Sequence, residues 1–489
     1  MSRREPSVIG IDRDARGLSD SDWARFFAFR LILLVSVGGL FVSCADRREP
    51  MRNLFIVCID TLRADHLGFH GYSRPTTPNL DSWASEAMVF DHALAPSSWT
   101  VPSVASMFTS RWPPHHGAGV TGSVRFLGEQ SPPQPIAETI VALPEILQRQ
   151  GFATGLFSAN PFLYGSFQRG FDLAVVEKLD ATALVDRTLD WIAKRPGERT
   201  FAYLHFMEPH EPNRAPERIV EMFRPEVQAL QIDEHGRWLD PYRRQHDLRD
   251  PDFLSWRAGR LAAYDAAIRY VDEEIARLFE GLRRARLLDS SVVIITADHG
   301  EEFWDHAEIE RAWADDPRGI WGVGHGHTLF QEQLHVPLVL SAPALPRGLR
   351  SSCAVSLVDV APTSLALLGL PVPQEWSGSS LVPPAGESTP RCDEDRLLYS
   401  GSLAYGPESA AVLFRGLKLI RRGGLSPMLF DLASDPGETR DLAPRRSGVV
   451  SVLEKRLDAI ESGSIQAPGP ASELDRSLLR ELEALGYIG

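Results

Sequence analysis

The chain has 489 residues, of which 43% are hydrophobic and 24% are charged, a composition typical of globular proteins. Disordered, collagen-like and disulfide-scaffold classes are therefore excluded. Because 51 Lys and Arg residues stand against 65 Asp and Glu residues, the formal net charge is −14. The chain lacks the positive charge that binds phosphate backbones, and we expect no nucleic-acid partner.

Residues 1–50 have the features of a signal or membrane-anchor segment. An uncharged run at 31–45 follows Arg25 and Arg30, and it is shorter than the roughly 20 residues that a membrane-spanning helix needs. It ends in FVSC, which resembles the cleavage site of bacterial lipoproteins, so Cys44 would carry lipid. We expect membrane association through the N-terminus of a bacterial envelope protein, either periplasmic or an outer-membrane lipoprotein. An uncleaved inner-membrane anchor, with the domain outside, is the alternative.

Short apolar runs alternate with helical patterns over residues 51–372. Runs of this length without a polar face are typical of strands that are buried on both sides of a sheet. The predicted strands begin at Asn53, Phe152, Phe201, Ser291 and Val336. The helical patterns between them cover 79–90, 139–150, 181–194 and 257–287. This alternation predicts an α/β fold with a mainly parallel central sheet flanked by helices.

A stretch rich in Pro, Gly and Ser marks a predicted boundary after residue 372. Beyond it, short apolar runs separated by Gly, Pro and Ser predict a small antiparallel sheet. A charged amphipathic helix is predicted at 473–485. We therefore expect a main domain at 51–372 and a C-terminal subdomain with a terminal helix at 373–489.

Polar residues follow two of the predicted strands. Asp60 comes directly after the first strand, and Asp298 and His299 follow the strand that begins at Ser291. Ligands of parallel sheets bind beyond the carboxyl ends of the strands, and two carboxylates with an imidazole suit a hard or borderline divalent cation. Each aspartate alone is equally compatible with a helix cap. The three residues together favour a metal site.

Thr100 precedes an apolar segment with helical periodicity, so we expect its hydroxyl at or just before a helix N-terminus. Backbone N–H groups and the helix dipole stabilise negative charge there. An adjacent metal ion can lower the pKa of the hydroxyl enough to make it a nucleophile. A plain helix cap is the alternative. His115 and His116, which follow this segment, are expected in a loop that supports the helix.

These motifs resemble, in their order along the chain, those of the sulfatase family within the alkaline phosphatase superfamily. The similar segments are DTLRADHLGFHGYSRPTTPNLD, WTVPSVASMFTSRWPPHHG, HFMEPHEP, TADHGEEF, GHGHTLFQEQLHVPLVL, VSLVDVAPTSLALLGL and LFDLASDPGETRDLA. The resemblance implies a sulfatase-like catalytic domain at 51–372. It also implies that Asp60, Asp298 and His299 bind a metal ion together with Thr100, which holds the nucleophile position.

Thr100 departs from the family pattern C-x-P-x-R or S-x-P-x-R, in which the Cys or Ser is oxidised to formylglycine. A threonine cannot yield that aldehyde, and Val104 stands in place of the family's arginine. We therefore expect a variant with a Thr nucleophile, which resembles the phosphodiesterases, phosphatases and transferases of the superfamily. The pair Asp298-His299 also brings a nitrogen donor where the family's calcium sites are all oxygen. This favours Mn²⁺ or Zn²⁺, with Ca²⁺ and Mg²⁺ as alternatives.

The resemblance implies roles for further histidines. His210 and His325 would contact the oxygens of the anion or protonate the leaving group. A second metal site that includes His205 or Glu208 is the alternative. His327 lies close to His325 in the sequence and would contact the substrate in its place.

Two other residues are candidates for substrate binding. Asn160 follows the strand that begins at Phe152, where the family places groups that contact the anion, so it would donate a hydrogen bond to the substrate. Arg63 would add positive charge near the metal site. A helix or turn cap at Asn160 and a salt bridge at Arg63 are the structural alternatives.

These observations predict a metal-dependent hydrolase of phosphate or sulfate esters that acts through Thr100. The substrate would be an anionic small molecule, glycan or lipid ester. A transferase that passes a phosphoryl group to an envelope lipid or glycan is one alternative. A non-catalytic envelope protein that binds anions or glycans is the other.

Overall fold

Strands and helices alternate in the residues that the computed structural model describes: 51–122, 124–127, 133–223, 247–384, 387, 389–390, 393 and 395–463. The strands are β1 (Asn53–Ile59), β2 (Met88–Leu94), β3 (Val124–Phe126), β4 (Ala153–Ser158), β5 (Leu173–Val176), β6 (Thr200–Phe206), β7 (Ser291–Thr296), β8 (Glu302–Phe303), β9 (Val323–Gly324), β10 (His335–Ser341), β11 (Leu349–Ser356), β12 (Leu398–Gly401), β13 (Tyr405–Pro407), β14 (Ser409–Phe414), β15 (Leu417–Arg422) and β16 (Met428–Asp431). The helices are α1 (Pro78–Ala84), α2 (Thr100–Thr109), α3 (Pro113–His116), α4 (Leu143–Arg149), α5 (Ala181–Ala193), α6 (Glu217–Val220), α7 (Pro251–Arg284), α8 (Ala307–Trp313), α9 (Gln331–Leu334), α10 (Val360–Leu367) and α11 (Ser447–Glu461). The predicted N-terminal segment 1–50 and the predicted helix 473–485 lie outside the described residues.

The central sheet contains eight of the described strands, in the order β11-β2-β10-β7-β1-β6-β4-β5. Neighbouring strands are parallel except at β10, which is antiparallel to both β2 and β7. Every residue of β1, β6 and β7 is buried, as expected for strands that are covered on both faces. Helices α1 and α5 pack against α7, and α4 and α10 pack against α2. The predicted α/β class, with a mostly parallel sheet flanked by helices, is confirmed.

Three strands of this sheet, β2, β5 and β11, were not predicted from the sequence. The shortest of them, β5, is largely exposed or half-buried and gave no clear apolar run. The helix predicted at 79–90 ends at Ala84, and strand β2 begins at Met88. Helical periodicity continues through this boundary, but pairing with both β10 and β11 buries the segment in extended form. Strand β11 was not predicted, because its alternating exposed residues and two serines at Ser351 and Ser352 gave no continuous apolar run.

The C-terminal part of the described chain forms a small antiparallel sheet in the order β12-β14-β15-β16, as predicted. Its apolar residues share a core with α11, in which Leu419 packs with Leu453 and Leu457. The boundary at residue 372 stays a prediction. Among the described residues, no helix has both the length and the apolar character required to cross a membrane.

Candidate active site

Asp60 and Asp298 lie at the carboxyl ends of the neighbouring strands β1 and β7, and both are fully buried. Between them the backbone turns at Thr61, which has a left-handed conformation with φ of 58°. This conformation costs a β-branched residue on the order of 1–3 kcal/mol, so it persists only where its surroundings impose it. The N–H of Thr61 lies 3.4 Å from Asp298 Oδ1. One carboxylate oxygen of Asp60 and one of Asp298 lie within 4.8 Å of each other, so the two side chains meet beyond the ends of their strands.

Asp60, Asp298 and His299 form a donor set that fits a divalent cation. One oxygen of each carboxylate, Asp60 Oδ1 and Asp298 Oδ2, is buried and has no hydrogen-bond partner within the part of the chain that the structure describes. His299 Nε2 lies 3.7 Å from the first oxygen and 3.4 Å from the second. His299 Nδ1 donates a hydrogen bond to the carbonyl of Gly300 at 2.9 Å. In the neutral imidazole this leaves the lone pair of Nε2 free for a cation.

The electrostatics of the two carboxylates favour the same conclusion. Burial opposes ionisation of Asp60, but the hydrogen bond from His205 and the charge of His210 outweigh it and hold the pKa of Asp60 well below its usual range. Burial, followed by the negative charge of Asp60, raises the pKa of Asp298. The two carboxylates therefore repel each other in a buried site. A divalent cation between them would remove that repulsion.

Thr100 is the first residue of α2, and it lies beside these groups with only 4% of its surface exposed. Its hydroxyl oxygen is 3.4 Å from His299 Nε2. Asn160 Nδ2 donates to this oxygen at 3.1 Å and to Asp60 Oδ2 at 2.7 Å. The N–H of Phe162 donates to Asn160 Oδ1 at 2.8 Å, which orients the amide. The structure thus brings the predicted nucleophile, Asn160 and the predicted metal ligands together.

His205 supports this site from within strand β6, a role that the sequence analysis did not assign to it. Its Nε2 hydrogen-bonds Asp60 Oδ2 at 2.9 Å, and its Nδ1 hydrogen-bonds the hydroxyl of Tyr203 at 2.9 Å. Tyr203 and His205 are two residues apart and therefore share one face of the strand. The signal in the sequence for this role was the presence of two polar side chains, Tyr203 and His205, on alternate positions of a mostly apolar strand.

His210 and His325 form the outer part of the site. Their ring centroids are 4.9 Å apart, and the ring of His325 is 4.5 Å from that of His299. His325 Nδ1 lies 3.2 Å from the carboxylate of Glu301, a contact that the sequence did not predict. His210 Nδ1 donates to the carbonyl of Glu211 at 2.8 Å, so its Nε2 is available to a ligand. The structure places His325 next to His299, one of the predicted metal ligands, and His210 next to His325.

Arg63 and His327 have other neighbours. The guanidinium of Arg63 forms ion pairs with Asp65 at 2.7 Å and with Asp305 at 2.9 Å. His327 is 1% exposed and faces a separate group of buried carboxylates. The salt-bridge alternative describes the observed contacts of Arg63. The substrate-binding roles of both residues stay predictions.

A cavity of about 640 Å³ opens beside the outer histidine His210. Lys178, Arg214 and Tyr270 contribute to its wall, together with the buried Glu208. Burial raises the pKa of Glu208 to about 7, against the hydrogen bonds from backbone N–H groups that favour its ionised form. The cavity therefore offers cationic, aromatic and titratable groups within reach of the active-site histidines.

Comparison with known proteins shows the family of this chain. Residues 52–370, more than half of the chain, match the family described as Sulfatase. Arylsulfatase K of Bos taurus is 29% identical over 209 residues, which cover 41% of this chain and 36% of that relative, so the chain spans about a third of the length of that protein.

Solved structures at low sequence identity show the same fold. The phosphonate monoester hydrolase of Agrobacterium radiobacter has a TM-score of 0.65 at 20% identity, covering 85% of this chain and 96% of that chain. A protein in complex with its substrate D-glucosamine-2-N,6-O-disulfate has a TM-score of 0.66 at 18% identity, covering 84% of this chain and 98% of that chain. The match over residues 52–370, together with this fold, shows that the chain belongs to the sulfatase family.

Proposed function

We propose that this protein is a metal-dependent ester hydrolase that transfers a phosphoryl or sulfuryl group first to Thr100 and then to water. The observation that carries the proposal is the position of the Thr100 hydroxyl. It lies 3.4 Å from His299 Nε2, beside two buried carboxylate oxygens for which no described residue supplies a hydrogen bond. A helix cap needs neither the imidazole nor the carboxylates. This setting therefore favours a nucleophile over a capping residue.

The donor set supports a divalent cation held by Asp60, Asp298 and His299 against Thr100. A cation bound there supplies a Lewis acid that lowers the pKa of the hydroxyl and offsets negative charge on the transferring group. One imidazole nitrogen beside two carboxylates favours Mn²⁺ or Zn²⁺, with Ca²⁺ and Mg²⁺ as the alternatives.

The residues around Thr100 carry out attack, orientation and proton transfer. The Thr100 hydroxyl loses its proton to solvent, and its oxygen bonds to the phosphorus or sulfur atom as the bond to the leaving oxygen breaks. The N-terminal end of α2 lies at Thr100, where its dipole favours the negative charge that develops. Asn160 Nδ2 holds the hydroxyl oxygen before attack. His210 or His325 gives a proton to the leaving oxygen and then takes one from the water that cleaves the Thr100 ester. Each histidine has Nδ1 engaged by an oxygen, which orients its ring.

The substrate we propose is an anionic ester of a small molecule, a glycan or a lipid. The cavity beside His210 has the volume of a binding site for a small organic molecule, and Lys178 and Arg214 supply positive charge at its wall. Relatives of the chain include proteins named for sulfate esters and for phosphonate monoesters. Because a threonine cannot form the hydrated aldehyde of the sulfatases, we propose phosphate esters before sulfate esters.

We also propose that the protein belongs to the bacterial cell envelope, as a periplasmic or outer-membrane lipoprotein or an inner-membrane anchored protein. The sequence of residues 1–50 is the basis of this proposal. In addition, Cys353 is disulfide-bonded, and disulfides persist mainly in oxidising compartments.

The test is a parallel assay of an aryl sulfate, a phosphate monoester and a phosphodiester after loading with Mn²⁺, Zn²⁺ or Ca²⁺. We expect Thr100→Ala to retain its metal ion and to lose at least about 1,000-fold in kcat. Thr109→Ala, at the other end of α2, is the matched control and should keep turnover within a few-fold of wild type. Full turnover by Thr100→Ala would refute the nucleophile. A metal-loaded wild type that cleaves none of the esters would instead favour the transferase or the binding protein.

A further inference from the structure

A second group of buried metal-ligand side chains lies outside the candidate active site. Glu302 belongs to β8, Glu310 to α8, and His327 follows β9. Their exposed fractions are 0%, 6% and 1%. Glu301 contacts His325 of the candidate active site, whereas the next residue, Glu302, faces His327. None of the steps proposed above uses this group.

The distances within the group match a shared cation better than a direct ion pair. His327 Nε2 lies 3.3 Å from Glu302 Oε2 and 3.2 Å from Glu310 Oε2. A charged N–H donor usually approaches a carboxylate to about 2.7–2.9 Å. Ligands at about 2.0–2.1 Å from a tetrahedral ion are themselves separated by roughly 3.3–3.4 Å. A single proton on Nε2 could at most be shared between the two oxygens in a weaker three-centre hydrogen bond, whereas an ion in the centre would bind all three atoms.

Hydrogen bonds from neighbouring groups orient the two carboxylates and leave one carboxylate oxygen available to bind an ion. The backbone N–H of His306 donates to Glu302 Oε1 at 3.0 Å, and that of Gly322 donates to Glu310 Oε2 at 2.7 Å. Gln333 Nε2 donates to Glu302 Oε2 at 3.1 Å. Such outer contacts are typical of metal-binding carboxylates. Glu310 Oε1, the other oxygen of the carboxylate that Gly322 contacts, is buried and has no hydrogen-bond partner among the described residues.

We propose that Glu302, Glu310 and His327 bind a second divalent cation, Zn²⁺ or Mn²⁺, that is separate from the catalytic ion. Glu302 Oε2, both oxygens of Glu310 and His327 Nε2 supply four donor atoms, which suits a closed structural site. The ion joins β8, α8 and the segment after β9. Because His325 lies two residues before His327, the second ion holds the loop that presents His325 to the substrate. The proposal does not depend on which ester the active site cleaves.

The test is the metal content of the full-length protein, measured by mass spectrometry after loading with Zn²⁺ or Mn²⁺ and removal of loosely bound ions. We expect two ions per chain in the wild type, one in His327→Gln, one in Asp298→Asn, and none in the double variant. Asp272→Asn alters a buried carboxylate that accepts hydrogen bonds from the backbone N–H groups of Asn79 and Leu80 and belongs to neither group. It is the matched control and should retain two ions. A wild type with one ion, or a His327→Gln variant with two, overturns the proposal.

A second measurement covers the outcome that His327→Gln fails to fold. Asp298→Asn leaves the second group intact, so Zn²⁺ titrated into its metal-free form should raise Tm with a stoichiometry of one. The absence of any Zn²⁺-dependent rise in Tm in Asp298→Asn would overturn the proposal as well. Loss of the catalytic ion alone leaves this titration unchanged, so failure of the proposed function and failure of the second site are distinguishable.

Discussion

The buried imidazole of His116 makes the stability of the protein sensitive to acid. His116 is 0% exposed and lies beneath the helix that carries Thr100. The N–H of Ala118 donates to its Nδ1 at 3.0 Å, so Nε2 carries the proton and faces Ser106 Oγ at 2.9 Å and the carbonyl of Pro102 at 3.2 Å. The neutral ring is thus fully hydrogen-bonded. Burial lowers the pKa of His116 from 6.5 to about 3.

The sign and size of the effect follow from this shift. Below pH 6.5 the unfolded chain binds a proton that the folded chain rejects, so stability falls as the pH falls from 6.5 toward 3. A shift of one pKa unit corresponds to about 1.4 kcal/mol. Between pH 7.5 and pH 5.0 the His116 contribution to the free energy of unfolding therefore decreases by about 2 kcal/mol.

Urea unfolding at pH 7.5 and pH 5.0 tests this prediction in the wild type and in His116→Gln. The variant loses stability at both pH values, but its loss between the two pH values should be about 2 kcal/mol smaller than that of the wild type. Other titrating groups act in both proteins and cancel in the comparison. Thr109→Ala, which alters α2 without removing a titrating group, should keep the wild-type pH dependence. Equal pH dependence in the wild type and His116→Gln would refute the reasoning.

Three substitutions test other parts of the structure. Asp60→Asn should release the catalytic ion and abolish turnover, as measured by metal content and kinetics. Asn160→Ala removes a hydrogen bond to a charged group worth about 1.5–3 kcal/mol, so kcat should fall about 10- to 150-fold while the ion is retained. An unchanged kcat would contradict a role of Asn160 in the reaction. Phe108 is 1% exposed and packs edge-to-face on Tyr203 at 4.8 Å, so Phe108→Ala should lower the free energy of unfolding by about 3–5 kcal/mol in urea titration. A loss below 1 kcal/mol would contradict this packing.

The sequence predicts those elements whose burial is continuous. Strands β1, β6 and β7 are buried throughout and mostly apolar, and the carboxyl ends of β1 and β7 locate Asp60 and Asp298 without knowledge of the fold. Strand β2 was missed because its first three residues, 88–90, continue the helical pattern predicted at 79–90, and only its pairing with β10 and β11 decides the conformation. Local pattern is therefore sufficient for the centre of the sheet and insufficient for its outer strands.

Contacts between distant segments limit the prediction of the site. Asn160 was expected to bind the substrate, and its contacts with Asp60 and Thr100 depend on chain segments that only the folded sheet brings together. Arg63 shows the opposite case, because one of its two carboxylate partners, Asp65, is only two residues away. The sequence could therefore predict the salt bridge between Arg63 and Asp65. It could not predict the one with Asp305, which is distant along the chain.

The amino acid at the start of α2 affects how the protein can be produced. Formylglycine sulfatases are inactive until a dedicated maturation enzyme converts a side chain, so their yield of working enzyme varies with the expression host. A threonine nucleophile needs no such conversion after translation. With Thr100 as nucleophile, recombinant protein from any host that folds the chain and supplies the ion would be fully competent, and the absence of an aldehyde would be visible as an unmodified mass for the peptide that contains residue 100.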